Sequence, residues 1–130
     1  MQKELIEKNP ILKLTVQFSL LAIEYCELLD REKKYIVSRQ LLRSATSIGA
    51  NSMEAQNAES KADFIHKMKI AAKEADETQY WLTLCDYSPA FPDGKNLWPR
   101  LEEIQKLLNA ILGSAKRKNP FSYILSFFIF

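Results

Sequence analysis

From Pro10 onward, apolar residues return every three or four positions: Leu14, Phe18, Leu21, Tyr25 and Leu28. That period belongs to an α-helix, and proline is favoured at a helix's first position. The pattern predicts a first helix over about residues 10–30. Ile11, Leu12, Val16, Leu20, Ile23 and Leu29 widen its apolar stripe well past one core-facing side. A helix this apolar is covered on more than one side, which a lone bundle does not require. Self-association is the expectation that follows.

A charged connection, 31–34, leads into a second predicted helix over about 35–59, with Leu41, Ala45, Ile48, Ser52 and Ala55 on one stripe. Gly49 sits mid-helix, where glycine costs up to ~1 kcal/mol relative to alanine. Either it admits a close neighbouring backbone or it is a tolerated weak spot. Ser60 and Asp63 resemble a capping box and open a third helix to about residue 86, through Phe64, Met68, Ala71, Ala75, Leu82 and Cys85. The very short junction makes the second and third helices antiparallel. Two prolines and a glycine in 88–94 end the third helix. A fourth starts near Leu97 and carries Leu101, Ile104, Leu108, Ile111 and Leu112 on one face. Gly113 and the basic group at 116–118 suit its C-terminus.

The expected fold is therefore all-α: an up-down-up-down antiparallel four-helix bundle, one domain over residues 1–120. A tail, 121–130, follows, in which eight of ten residues are apolar. It is too short to span a bilayer. It docks on the bundle, docks on a neighbouring subunit, or is an extension with no selected role. With only three glycines and five prolines in 130 residues, the composition also disfavours an all-β domain. The opening residues carry no apolar signal core, so no secretory leader is expected and the cytoplasm is the expected location.

The chemistry of catalysis is missing from the sequence. There is no phosphate-cradling glycine loop, no H-E-x-x-H, and no nucleophile with a histidine to activate it. His66, the only histidine, reads as a partly exposed, non-catalytic residue. Cys26 and Cys85 stand in apolar helical stretches and read as buried reduced thiols. A di-metal bundle needs Glu-x-x-His pairs, and none is present, so neither metal nor cofactor is expected. The chain reads as a non-enzyme.

Polar residues instead form a stripe on the second helix: Arg43, Ser47, Asn51 and Glu54. A hairpin folded at about Glu59 and Ser60 brings Arg43 level with Asp76 and Glu77, with Glu74 a turn away, and Asn51 near Met68. Arg43 then bridges to Glu74 or Glu77 and fixes the register of the pair, with Asn51 as a polar partner; a ligand site is the other reading. Net charge is only +2, so nucleic-acid binding depends on placement. Arg39, Arg43, Lys61, Lys67, Lys69 and Lys73 are the candidate phosphate-binding surface, against the alternative of a solvated helix face.

The run Arg43-Ser44-Ala45-Thr46-Ser47-Ile48-Gly49-Ala50-Asn51, with Glu54-Ala55, Ser60-Lys61-Ala62-Asp63-Phe64 and the segment 70–82 from Ile70 to Leu82, resembles a known family. These are the bacterial four-helix-bundle proteins encoded in intervening sequences of 23S rRNA genes, often labelled ribosomal-protein-like. The likeness covers about residues 10–117. It implies a homopentameric ring. Related accessory proteins of diversity-generating retroelements form a basic pentameric barrel that binds a reverse transcriptase and nucleic acid. Arg43, Ser47, Ile48, Asn51, Glu54, Lys73, Glu74, Glu77 and Trp81 match the family's recurring positions. The resemblance thus implies a homo-oligomeric scaffold for RNA, DNA or a protein that handles them. A protein-only adaptor is the alternative.

Overall fold

Asn9 decides where the long helices begin. Its backbone is extended, as a residue before proline prefers, and its side chain accepts a hydrogen bond from the Ile11 amide at 3.2 Å. Pro10 follows at the first helical position, where no N–H is needed. Five helices order the chain in the computed structural model, which describes residues 2–116: α1 (Gln2–Lys8), α2 (Pro10–Arg31), α3 (Tyr35–Ala55), α4 (Lys61–Tyr87) and α5 (Leu97–Lys116). The fold is an all-α helical bundle, with no strand among the described residues. The tail 121–130 and the basic residues Arg117 and Lys118 lie outside them.

The helix α1 was not expected. None of its residues is buried, so it has no apolar period to betray it. Its glutamates, lysines, glutamine and leucine are good helix formers, and Ile6 packs part-buried against the core. It stops where Pro10 forces Asn9 out of the helical conformation. The second correction concerns α3, which ends at Ala55 and not near residue 59. Bonds from the amides of Gln56, Asn57 and Ala58 to carbonyls three residues back tighten the last turn and close the helix.

Antiparallel neighbours are fixed by bonds at their ends. Between α2 and α3, Cys26 Sγ donates to the Ser38 carbonyl and Ser38 Oγ to the Cys26 carbonyl, at 3.4 and 3.1 Å. At the other end Asn9 Nδ2 donates to Gln56 Oε1 at 3.2 Å. The turn between these helices places Lys33 in the left-handed region, at φ 63. Ser60 caps α4 by accepting from the Asp63 amide at 3.0 Å, while the Asp63 carboxylate reaches back to the Glu59 amide at 3.2 Å. This is the reciprocal logic of a capping box, shifted by one residue.

The return helix α5 lies antiparallel to α4. Trp98 Nε1 donates to Asp86 at 2.8 Å, and Gln105 Nε2 donates to Gln79 Oε1 at 2.9 Å. Its buried face also packs on α2, and the link before it is held by Tyr25, whose hydroxyl donates to the Pro92 carbonyl at 2.7 Å. Phe18, Leu29, Leu41, Ile48, Phe64, Met68, Leu82, Leu101 and Ile104 fill the space between the four long helices. Cys26 and Cys85 are buried and free. Burial, the main cause, pushes the Cys26 thiol up to about 11, so it stays protonated and unreactive at neutral pH.

Gly49 has a definite role. A Cβ at this position would lie 3.1 Å from both Cβ and Oγ1 of Thr15 on α2. Thr15 cannot easily give way, because its hydroxyl bonds the Ile11 carbonyl at 2.8 Å in a buried setting. Gly49→Ala therefore pits a propensity gain of up to about 1 kcal/mol against overpacking of about 1–3 kcal/mol. The expected outcome is a net loss of about 1 kcal/mol in unfolding free energy, read as a lower urea midpoint with an unchanged slope.

Candidate interaction surface

Arg43 and Glu74 form the centre of the α3–α4 pair. Arg43 Nη1 lies 2.8 Å from Glu74 Oε2, and Nη2 donates to Glu77 Oε2. The same Glu77 oxygen accepts from Trp81 Nε1 at 3.0 Å. Glu74 is largely covered, at 16% side-chain exposure, while Arg43 is half exposed. Hydrogen bonding from Trp81 and then from Arg43 holds the Glu77 carboxyl below its ordinary value of 4.5. The rest of the seam repeats the theme. Thr78 Oγ1 donates to Ser44 Oγ at 2.9 Å in the buried interface, and Lys67 pairs with Glu54 at 3.0 Å. The hairpin register that the sequence predicts for Arg43 is the register observed.

Asn51 takes a different place from the one expected. Its amide donates to the Ser47 carbonyl of its own helix at 2.9 Å, and Ser47 Oγ donates to the Arg43 carbonyl at 2.6 Å. These back-bonds follow from the four-residue spacing. Ile48 is fully buried core. The polar stripe on α3 is thus a structural seam, part across the helix pair and part along one helix.

This seam divides the candidate basic surface. Arg43 and Lys67 are neutralised by carboxylates of the same chain. Lys61 is half-buried at the start of α4. Arg39 is exposed on α3, and Lys69 and Lys73 are exposed on α4 with no ion pair among the described residues. His66, Lys69, Lys73, Asp76 and Tyr80 follow one another at spacings of three and four along one exposed edge of α4. Tyr80 also meets the Trp81 ring edge-on, with centroids 5.7 Å apart. Tyr80 and Tyr87, 58% and 84% exposed, were not singled out in the sequence, because a tyrosine on a helix reads equally as core.

The apolar surplus is located on α2. Val16, Leu20 and Ile23 are 37%, 57% and 39% exposed and share one outward edge. Beside them a shallow groove of about 300 Å³ runs between α2 and α3, lined by Val16, Leu20, Thr46, Ala50 and Met53. Tyr35 and Ile36 add exposed apolar surface at the start of α3. Among the described residues no group of three His, Cys, Asp or Glu gathers to hold a metal, and no helix is long and apolar enough to cross a membrane.

These features define a class: an all-α helical bundle whose charged seam joins two of its own helices and whose apolar excess faces outward on another. The chain belongs to the family of 23S rRNA-intervening sequence proteins, whose family model matches residues 7–110. It is similar to the crystal structure of a protein of unknown function from the S23 ribosomal protein family of Bacteroides thetaiotaomicron VPI-5482. The two share 39% identity over 78% of this chain and 97% of the other, with a TM-score of 0.74. No curated protein matches the chain.

The Arg43 seam generates an acid signature. A carboxylate held below its ordinary value stabilises the fold above that value, and this contribution is lost as pH falls through the lowered one. Stability is expected to drop on acidification below about pH 4.5, and Trp81→Phe should flatten the drop by removing the leading donor to Glu77. Arg43→Ala should cost about 1 kcal/mol at pH 7, since each half-exposed pair contributes about 0.2–1 kcal/mol. Urea unfolding at a series of pH values measures both.

Proposed function

We propose that this protein is a non-enzymatic, homo-oligomeric binding scaffold. Its four long helices act as an up-down-up-down four-helix bundle, with α1 as an appendage. Copies associate through the outward edge of α2, and the family resemblance supports a pentamer. The carrying observation is the exposed Val16–Leu20–Ile23 edge beside an apolar groove, a surface that water covers poorly. The two free buried thiols suit a reducing cytoplasm.

In a closed ring, each copy repeats the exposed Lys69 and Lys73 edge of α4, so a modest pair becomes a basic band. That band is suited to the phosphates of RNA or DNA, or to a protein that handles them such as a reverse transcriptase. Tyr80 on the same edge offers a ring for stacking. A protein-only adaptor is the second reading. The pairing of Arg43 and Lys67 with their own carboxylates favours it, because it removes two of six candidate phosphate contacts.

Light scattering on the purified chain tests the assembly. A mass near five times 15.0 kDa is expected, and Leu20→Glu should reduce it. A monomer at micromolar concentration would sink the scaffold reading. Titration with RNA and with DNA at two salt concentrations tests the second half. Affinity should fall steeply with salt, and Lys69→Ala and Lys73→Ala should each lower the slope by about one. Absence of binding at low salt, with a protein partner retained after nuclease treatment, establishes the adaptor.

A further inference from the structure

The groove between α2 and α3 continues beyond Met53. A second apolar depression of about 430 Å³ is lined by Leu5, Met53, Gln56 and Asn57. Met53 lines both, so the two adjoin on one line. It starts at the end of the bundle where Asn9 meets Gln56 and runs along α2 to Leu20. The last described residue of α5, Lys116, stands at that same end. This follows from the antiparallel pairing of α4 and α5, which sets Trp98 beside Asp86 and Gln105 beside Gln79, and from the short link joining α3 to α4.

Fourteen residues follow Lys116. Extended, they reach roughly 45–50 Å. Crossing the end of the bundle from α5 to the α2–α3 side needs roughly 15 Å at helix spacings of 8–10 Å. The reach is therefore sufficient, and a tethered segment meets its own groove at a far higher effective concentration than another molecule's. The segment also has the right chemistry. In 121–130 the only two polar side chains other than the tyrosine hydroxyl are Ser122 and Ser126. Four residues apart, they share one face whether the segment is extended or helical. The opposite face carries Phe121, Leu125 and Phe127 if extended, and is equally free of serine if helical.

We infer that the chain's own C-terminal segment, 121–130, seats in the α2–α3 groove and covers the edge formed by Val16 and Leu20. The same apolar surface is then offered either to the tail or to a second copy, and the tail sets how readily copies associate. This regulatory consequence rests on the scaffold reading; the docking itself does not.

The experiment uses the full chain carrying the photo-crosslinker p-benzoylphenylalanine in place of Phe127. Light and ¹⁵N-labelled chains are mixed, diluted below the concentration at which copies associate and irradiated, and adducts are mapped by mass spectrometry. Adducts on the peptides holding Met53 or Leu20, within one chain, are expected. Leu20→Glu in the same chain should abolish them; Leu20 is more than half exposed, so the fold tolerates the change. Adducts that join light to heavy chains, adducts elsewhere on the bundle, or no adduct at all would overturn the proposal. Light scattering of Phe127→Glu separates the two readings. Association at lower concentration than the wild type supports the covering role. A wild-type chain that is monomeric, while the crosslinker chain gives the intrachain adduct, leaves the docking standing and removes the scaffold reading.

Discussion

A guanidinium between two carboxylates sets the geometry of α3 against α4, and the remaining helices are arranged around that pair. Arg43 presents two nitrogens to two different glutamates one turn apart on the facing helix. A slip of one helical turn, about 5.4 Å, keeps the apolar faces opposed but separates these groups. Apolar contacts alone tolerate such slips more readily, because one methyl replaces another at little cost. The buried Thr78–Ser44 bond beside the bridge and the Lys67–Glu54 pair farther along the same seam require the same alignment. Energetically these partly exposed pairs are small beside the core. Their contribution is to select one packing among several of similar burial.

That arrangement has a consequence for binding. Arginine and lysine side chains held by neighbouring carboxylates offer little net charge to a phosphate, whatever their count in the sequence. The basic character of α3 and α4 therefore narrows to Arg39, Lys69 and Lys73, on outward positions. A surface with so few free cations on these two helices binds a polyanion weakly. Repetition by symmetry is the route by which such a surface gains strength, and this ties any nucleic-acid role to self-association.

How much of this was legible in the chain follows from which signals are periodic. The four long helices were readable because their apolar residues recur at helical spacing, and the Ser60 cap and Pro10 start carry local chemistry that needs no partner. The Arg43 bridge was readable too, since a tight hairpin fixes which positions face each other. α1 was not readable, because a helix with no buried residue leaves no apolar pattern. The early end of α3 was missed because no glycine or proline marks it, and Gln56, Ala58 and Glu59 are good helix formers. Asn51 was assigned across the pair when its shortest route to a partner is the carbonyl one turn behind it. For Gly49, the sequence left two readings open, and the contact with Thr15 on another helix decides between them. Such contacts between distant segments are what local pattern leaves out.

The placement of the apolar excess also explains why it survives on a water-facing helix. Were Val16, Leu20 and Ile23 scattered, each would be an ordinary exposed apolar residue and carry no message. They are contiguous, and the groove beside them is lined by the small residues Thr15, Gly49 and Ala50, with no room for a Cβ between Gly49 and Thr15. The same small residues that tighten the inner side of this helix pair thus open its outer side. Tight packing inside and an open groove outside are two faces of one choice of side-chain size. A bulkier residue at Gly49 would disturb both, whereas a change at Ala50 or Leu20 touches the outer face alone.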